Sequence, residues 1–220
     1  MNMDIRNTTI NFLGDSITAG FGCSDWCNRF TDLLVKDYGV KKANNYGICG
    51  SRFAQQLNDK GEVVDQDYCM RLEEMDESAD AVVVFGGTND FGHGTAPLGV
   101  PTDRTPETFW GACHYLMNEL LTRYPGKPVV FLTPLHRLNE NDPKGDGSKK
   151  FSVAPLKVYR DIIIEVAAQY SLPVLDLYAT SGMQPENEAC RNALIPDGLH
   201  PNDAGHVILA RRIANFLAKV

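Results

Sequence analysis

Four short segments of the sequence carry residue types that together are suited to acyl transfer. They are a Gly-Asp-Ser-Ile-Thr segment with Ser16, a glycine turn ending at Gly50, a Gly-Gly-Thr-Asn-Asp segment with Asn89, and an Asp-Gly-Leu-His-Pro segment from Asp197 to His200. These segments supply a hydroxyl nucleophile, an imidazole base with a nearby carboxylate, and backbone and amide donors for an oxyanion. The chemistry indicated is transfer of an acyl group through a serine ester.

Within this set, Ser16 is the candidate nucleophile and His200 the candidate base. The i, i+3 spacing of Asp197 and His200 in a turn brings their side chains together. Asp197 can then accept a hydrogen bond from the N–H at Nδ1 and leave Nε2 facing Ser16. Asp15 is a rival for the orienting role, but its adjacency to Ser16 favours a role in stabilising the turn.

Three donors are candidates for stabilising the oxyanion of the reaction: the backbone N–H of Ser16, the backbone N–H of Gly50 and the side-chain amide of Asn89. A glycine lets the backbone approach a ligand closely because it has no Cβ. Each preorganised donor of this kind typically contributes about 2.7–4 kcal/mol to lowering the barrier.

Strand and helix patterns alternate along the chain, which predicts an α/β fold with a five-stranded, mostly parallel sheet. Strands are predicted at 8–13, 42–46, 81–85, 128–133 and 173–177. Helices are predicted from Ser24 through Trp26 and Phe30 to Tyr38, and at 63–75, 105–123 and 156–170. A last helix is predicted from a cap at Asn202 or Asp203 to about Leu217. All the candidate groups then lie beyond the carboxyl ends of strands or before the last helix. Ligands of open α/β sheets bind at that edge.

Length and charge exclude several classes of function. The chain has 220 residues, a formal net charge of −7 and no apolar run long enough to span a membrane. We therefore expect one domain over residues 1–220, no nucleic-acid partner and no membrane insertion. The polar N-terminus predicts no secretory signal and a cytoplasmic location. No cluster with metal-ligand spacing is found, so no metal and no cofactor are expected, and the six cysteines are expected to be reduced. The oligomeric state stays open.

The four segments, in this order, resemble the SGNH hydrolases, also called the GDSL lipase/esterase family. The resemblance extends from residue 9 to residue 217. It implies a flavodoxin-like three-layer α/β/α fold and a catalytic triad of Ser16, Asp197 and His200. It also implies that Gly50 and Asn89 complete the oxyanion hole with Ser16.

Residues near the predicted site also bear on the substrate. Side chains expected to line the pocket follow two of the strands: Phe91, His93, Leu135, His136 and Arg137. Such aromatic and polar groups favour a small acyl group, such as acetyl, on a carbohydrate or similar polar alcohol. A lysophospholipase or acyl-thioesterase with a longer acyl groove is the first alternative, and a catalytically silent binding module is the second. The polar stretch 138–150 is expected to be an exposed loop.

Overall fold

The structure of the protein is a computed structural model, which describes residues 3–58, 60–64, 66–147, 149 and 151–220. Its centre is one five-stranded, all-parallel sheet with the strand order β2-β1-β3-β4-β5. The strands are β1 (Thr9–Gly14), β2 (Lys42–Gly47), β3 (Ala81–Phe85), β4 (Val129–Leu132) and β5 (Val174–Leu175). The predicted sheet is confirmed. β2 lies on one side of β1, and β3, β4 and β5 follow in order on its other side.

Helices cover both faces of this sheet. They are α1 (Ser16–Ala19), α2 (Phe30–Tyr38), α3 (Tyr68–Arg71), α4 (Thr88–Gly92), α5 (Phe109–Arg123), α6 (Leu156–Gln169), α7 (Leu177–Thr180), α8 (Glu188–Leu194) and α9 (Asp203–Leu217). Along β3, Val82 and Val84 pack in a core with α5 and α6, whereas Val83 and Phe85 pack in a second core with α2 and α9. Successive side chains of a strand point to opposite faces, so β3 is buried on both sides. The three-layer α/β/α fold is thereby confirmed.

The predicted last helix agrees closely with the structure, because its start signal is a side-chain cap. The Asn202 side chain accepts a hydrogen bond from the N–H of Gly205 at 3.1 Å, which satisfies one of the free donors of the first turn. Helix α2 differs from the prediction, since it begins at Phe30 and not near Ser24. Trp26 lies before it in a short 3₁₀ turn and is 74% exposed. The prediction that Trp26 belongs to a buried helical stripe was wrong.

The helix predicted over 63–75 was also wrong in its first part. Val63 forms an antiparallel bridge with Leu57, so the chain is extended there, and residue 65 lies outside the described residues. The helical structure begins only at α3, where Asp67 accepts the N–H of Met70 at 3.0 Å. A 3₁₀ turn, Leu72–Glu74, follows it. An aspartate cap inside an apolar pattern thus sets the helix start.

The stretch 138–150, of which residues 148 and 150 lie outside the described residues, is rich in turns and mostly exposed, as expected. Backbone hydrogen bonds join it to the site region. Leu138 N–H donates to the carbonyl of Gly198 at 2.9 Å, and Asp146 N–H donates to the carbonyl of Gly92 at 2.9 Å. Across the described ranges, no helix is both long and apolar enough to cross a membrane.

Candidate active site

Ser16 lies directly after β1, at the start of the short helix α1, and its residue surface is 6% exposed. The Asp15 carboxylate accepts the N–H of Ile17 at 2.9 Å and caps this helix, so the turn-stabilising role expected for Asp15 is confirmed. As the first residue of a helix, Ser16 has a backbone N–H with no partner inside that helix.

A chain of hydrogen bonds joins Ser16 to the turn before α9. Ser16 Oγ is 2.9 Å from His200 Nε2, and His200 Nδ1 is 2.7 Å from Asp197 Oδ2. The other carboxylate oxygen of Asp197 accepts the N–H groups of His200, at 2.7 Å, and of Leu199, at 2.9 Å. This arrangement keeps the proton of the neutral imidazole on Nδ1 and leaves Nε2 to accept the Ser16 proton.

The surroundings of Asp197 keep it ionised. Partial burial opposes its ionisation, but the hydrogen bonds from the His200 backbone and imidazole and from the Leu199 N–H outweigh that effect. Together they hold the pKa of Asp197 below its ordinary value. A charged carboxylate is therefore available to stabilise the imidazolium that forms when His200 takes up a proton.

Phe21 packs against the His200 imidazole, with ring centroids 4.5 Å apart. The loop that carries Phe21 approaches the turn before α9 closely. A Cβ at Gly22, whose φ is +99°, would lie 2.5 Å from the carbonyl oxygen of Pro201. Only glycine permits this approach, so Gly22 fixes Phe21 beside the imidazole.

A cavity of about 200 Å³ opens beside the Ser16 hydroxyl. Its lining consists of Ser16, Phe21, Cys49, Gly50, Asn89, His93, Leu199 and His200. The structure therefore brings together five of the predicted site residues around one space, with Asp197 behind His200.

Two further donors face this cavity. Gly50 has a φ of +76°, and no hydrogen bond among the described residues uses its backbone N–H. The Asn89 amide donates one hydrogen bond to the carbonyl of Ser51 at 3.1 Å. That bond orients the amide and leaves its second N–H for a ligand.

Two buried charged residues hold the loops that carry these donors. Arg71 donates to the carbonyl of Gly14 at 3.0 Å and to Ser51 Oγ at 2.9 Å, which ties the end of β1 to the loop after Gly50. The Asp90 carboxylate accepts the N–H groups of Phe53, at 3.0 Å, and Ala54, at 2.9 Å. Neither residue was singled out from the sequence, because burial of a charged side chain has no signature in a single sequence.

Burial also changes the ionisation of the acids beneath the site. Desolvation raises the pKa of Asp15 to about 7, and the neighbouring charge of Asp90 adds to this effect. Burial likewise raises the pKa of Asp90, against the hydrogen bonds from Ala54 and Phe53. Both carboxyls therefore hold their protons more strongly than an exposed acid does.

Among the predicted pocket residues, His93 is the one that the structure places in the cavity. Its Nδ1 is 3.0 Å from Asp146 Oδ2, and its Nε2 would lie 3.6 Å from a Cβ built on Gly50. His93 directly follows α4 and has an extended backbone conformation, and its side chain lines the cavity together with Asn89.

The other predicted pocket residues lie outside the lining of this cavity. Phe91 is fully buried and packs edge-on against Tyr159, because it lies two residues from Asn89 and thus on the opposite face of α4. Arg137 is buried over the Phe91 ring, 5.4 Å from its centroid, and donates to the carbonyl of Thr88 at 3.3 Å. These two placements correct the expectation of a pocket role.

His136 is likewise outside the lining of this cavity. Its Nδ1 lies 2.9 Å from the Glu140 carboxylate, and its ring packs at a tilt against Tyr178 with centroids 3.8 Å apart. Leu135, the remaining expected pocket residue, is buried in the core that contains α2 and α9. The segment after β4, which carries these residues, therefore contributes to packing and does not line the cavity.

Sequence reasoning missed three lining residues: Phe21, Cys49 and Leu199. Each is a close neighbour of a predicted site residue. Cys49 precedes Gly50, Leu199 precedes His200, and Phe21 follows the short helix that begins at Ser16. Closeness in sequence to the predicted site residues was therefore the signal that could have identified these three residues.

Comparison with known proteins agrees with this geometry. The family model of the GDSL-like lipase/acylhydrolase family matches residues 12–208, which includes Ser16, Gly50, Asn89, Asp197 and His200. The chain belongs to this family. With that membership it is a carboxylic ester hydrolase of the GDSL type.

Individual relatives of this GDSL-type hydrolase extend over nearly all of the chain. A GDSL lipase of Mycobacterium tuberculosis is 26% identical over 223 residues, which cover 99% of this chain and 85% of that protein. A crystal structure of a Lactobacillus plantarum protein is 31% identical, covers 97% of each chain and superposes with a TM-score of 0.82. The structure of a lipase/acylhydrolase from Enterococcus faecalis shares the fold, with 24% identity, 94% coverage of each chain and a TM-score of 0.65.

Proposed function

We propose that this hydrolase is a serine esterase that removes a short acyl group, such as acetyl, from a carbohydrate or similar polar alcohol. Ser16 is the nucleophile, His200 the general base and acid, and Asp197 the residue that orients His200. The observation that carries this proposal is the continuous hydrogen-bonded chain from Ser16 Oγ through His200 to Asp197, at 2.9 Å and 2.7 Å, which opens on a cavity.

The reaction follows from these positions in two halves. His200 Nε2 takes the Ser16 proton as Oγ attacks the ester carbonyl, and a tetrahedral intermediate forms. The intermediate collapses as His200 donates that proton to the departing alcohol oxygen, which leaves the acyl group on Ser16. His200 then takes a proton from water as the water attacks the acyl-enzyme, and the second tetrahedral intermediate forms. It collapses by breaking the bond between the acyl group and Ser16 Oγ, while His200 returns the proton to Oγ and the acid leaves.

The oxyanion of each intermediate is stabilised by the N–H groups of Ser16 and Gly50 and by the second amide proton of Asn89. Support for this assignment comes from their grouping around one cavity and from the hydrogen bond that already orients the Asn89 amide on Ser51. Donors held in place before the reaction cost no reorganisation when the charge develops.

The size of the cavity supports a short acyl group. At about 200 Å³ it is smaller than the roughly 300–1,000 Å³ of pockets that enclose drug-sized ligands. A long acyl chain would extend well beyond the cavity. An acetyl group would fill only part of it and leave room for the first atoms of the alcohol.

The test is hydrolysis of p-nitrophenyl esters from acetate to palmitate by the wild type and by Ser16→Ala. We expect the highest kcat/KM for acetate, and a loss of several orders of magnitude in Ser16→Ala with unchanged folding. Ser181, also buried but absent from the cavity lining, provides a matched control as Ser181→Ala.

The other outcomes select the alternatives. A maximum at long chains would identify a lysophospholipase or thioesterase preference. Activity that is the same in the wild type and in Ser16→Ala would overturn the nucleophile assignment, and a wild type that hydrolyses none of these esters would indicate a silent binding module.

A further inference from the structure

Two aromatic side chains are exposed side by side near the serine cavity. Phe21 is 56% exposed and Trp26 is 74% exposed. Both border a groove of about 370 Å³ that is lined by residues 19–26 and Cys49. Phe21 and Cys49 also line the cavity beside Ser16, so the groove and the cavity adjoin. An exposed apolar surface that continues a reactive cavity is a candidate for substrate contact.

The position of the groove decides which half of an ester it would receive. His200 must donate a proton to the departing alcohol oxygen, so the alcohol leaves on the side of the imidazole. The Phe21 ring lies tilted against that imidazole, with ring centroids 4.5 Å apart, and Phe21 also lines the groove. The donors for the oxyanion, Gly50 and Asn89, lie in the cavity but not in the groove. The groove is thus on the alcohol side.

Trp26 is held in position although most of its surface is exposed. The Arg29 guanidinium carbon lies 4.9 Å from the centroid of the Trp26 ring. Arg29 Nε in turn donates to the Asp32 carboxylate at 2.7 Å. The Asp25 carboxylate caps the 3₁₀ turn that carries Trp26, through the N–H of Cys27 at 2.9 Å. An aromatic group oriented before binding loses little conformational freedom when a ligand covers it.

The polar groups of the groove suit a hydroxylated ligand better than a hydrocarbon chain. The hydrogen bonds from Cys27 hold the pKa of the Asp25 carboxyl below its ordinary value, so Asp25 is charged and can accept hydrogen bonds from hydroxyl groups. Ser24 donates its N–H to Asp203 at 2.8 Å, which fixes the turn on α9. A charged carboxylate along a groove disfavours a buried acyl chain because its desolvation would be uncompensated.

We propose that this groove binds the alcohol half of the substrate as a sugar ring. The C–H face of the ring packs on the indole of Trp26, and ring hydroxyls donate to Asp25. This inference rests on the proposed function and deepens it by assigning the carbohydrate to one surface. Contacts to a part of the substrate that does not react can increase turnover when they position the ester at Ser16.

The experiment compares acetate release from a methyl 6-O-acetylhexopyranoside and from ethyl acetate, whose alcohol is too small to reach Trp26. We expect the wild type to have the higher kcat/KM for the sugar ester. In Trp26→Ala the ratio of the two kcat/KM values should fall about tenfold, and Trp26→Phe should restore most of it, because phenylalanine keeps a large apolar aromatic face for the sugar ring.

Phe151, which is also 74% exposed but borders neither the groove nor the cavity, is the matched control. Phe151→Ala should leave the ratio at the wild-type value. A wild type that does not prefer the sugar ester, or a ratio that is equal in the wild type and Trp26→Ala, would overturn the proposal. A selective loss of p-nitrophenyl octanoate hydrolysis in Trp26→Ala would also overturn it and assign the groove to an acyl chain.

Failure of the proposed function would give a different result. In that case ethyl acetate and p-nitrophenyl acetate would show no hydrolysis that depends on Ser16. Serine-dependent hydrolysis of both esters without a sugar preference would leave the esterase function intact and remove only the sugar groove.

Discussion

Replacing Asp197 with asparagine tests the proposed arrangement of protons in the site. The carboxylate has two distinct tasks, since Oδ2 faces His200 Nδ1 at 2.7 Å while Oδ1 accepts two backbone N–H groups. An asparagine at this position keeps both backbone hydrogen bonds only when its oxygen occupies the Oδ1 position. Its NH₂ group then faces Nδ1.

A donor facing Nδ1 moves the imidazole proton to Nε2, where it points at Ser16 and blocks acceptance of the hydroxyl proton. Turning the amide over would restore the tautomer but place a donor against the N–H groups of His200 and Leu199. That would cost two hydrogen bonds of about 1 kcal/mol each, and each orphaned donor adds a further penalty.

The expected loss of activity has a second cause, which is the loss of the negative charge. Asp197 is 48% exposed at its side chain, so its attraction for an imidazolium about 4 Å away is between about 1 and 4 kcal/mol, the values for water and for a protein surface. With the tautomer effect included, we expect Asp197→Asn to lose about 10²–10⁴-fold in kcat, with a much smaller change in KM.

Asp197→Ala is the informative comparison. It removes the charge but places no donor against Nδ1, so His200 can still adopt the productive tautomer. We expect it to be at least as active as Asp197→Asn, although asparagine is closer in shape to aspartate. The assay is steady-state hydrolysis of p-nitrophenyl acetate, with thermal unfolding as a control for folding. The reasoning would be refuted if the kcat of Asp197→Asn were within about threefold of the wild-type value, or well above that of Asp197→Ala.

Two further perturbations test other parts of the site. Asn89→Ala should lower kcat about 10²–10³-fold, because one oxyanion donor contributes about 2.7–4 kcal/mol, and an effect confined to KM would contradict that role. Asp15→Asn should stabilise the protein increasingly as pH rises from 4.5 to 7.5, as measured by urea unfolding. Folding raises the pKa of Asp15 from 3.8 to about 7. Above about pH 4, Asp15 therefore loses its proton in the unfolded chain but keeps it in the folded protein. The free energy of unfolding of the wild type falls as the pH rises, until about pH 7. The gain should reach at most about 4 kcal/mol, and a gain independent of pH would contradict the burial argument.

The features that the sequence could predict are those with a local cause. The apolar run Ala81–Phe85 between polar and glycine residues can only be a covered strand, and it is. The Asn202 cap marks the start of α9 within one residue. The four segments of the site were predicted to converge because each follows a strand or precedes the last helix, and the structure brings their side chains to one cavity.

The errors arise where tertiary contacts decide. Phe91 was assigned to the pocket because it neighbours Asn89, but the helical period of α4 turns it into the core. Trp26 has a large apolar side chain of the kind found in cores, but it lies in a 3₁₀ turn before α2 and so is not part of the buried face of that helix. The extended segment at Val63 depends on a pairing with Leu57, which no periodicity within the segment itself can indicate.

The separation of Ser16 and His200 by 184 residues along the chain has a consequence for folding kinetics. His200 is brought to Ser16 by contacts of the last helix with the first third of the chain, among them the hydrogen bond from the Phe30 N–H to His206 Nδ1 at 3.1 Å. Ester hydrolysis is therefore a reporter of long-range docking, whereas far-ultraviolet circular dichroism reports helices wherever they form. Contacts of high sequence separation are costly in loop entropy and tend to form late. In a refolding experiment we expect activity to return after the helical signal, and the interval between the two measures the time that α9 needs to find α2.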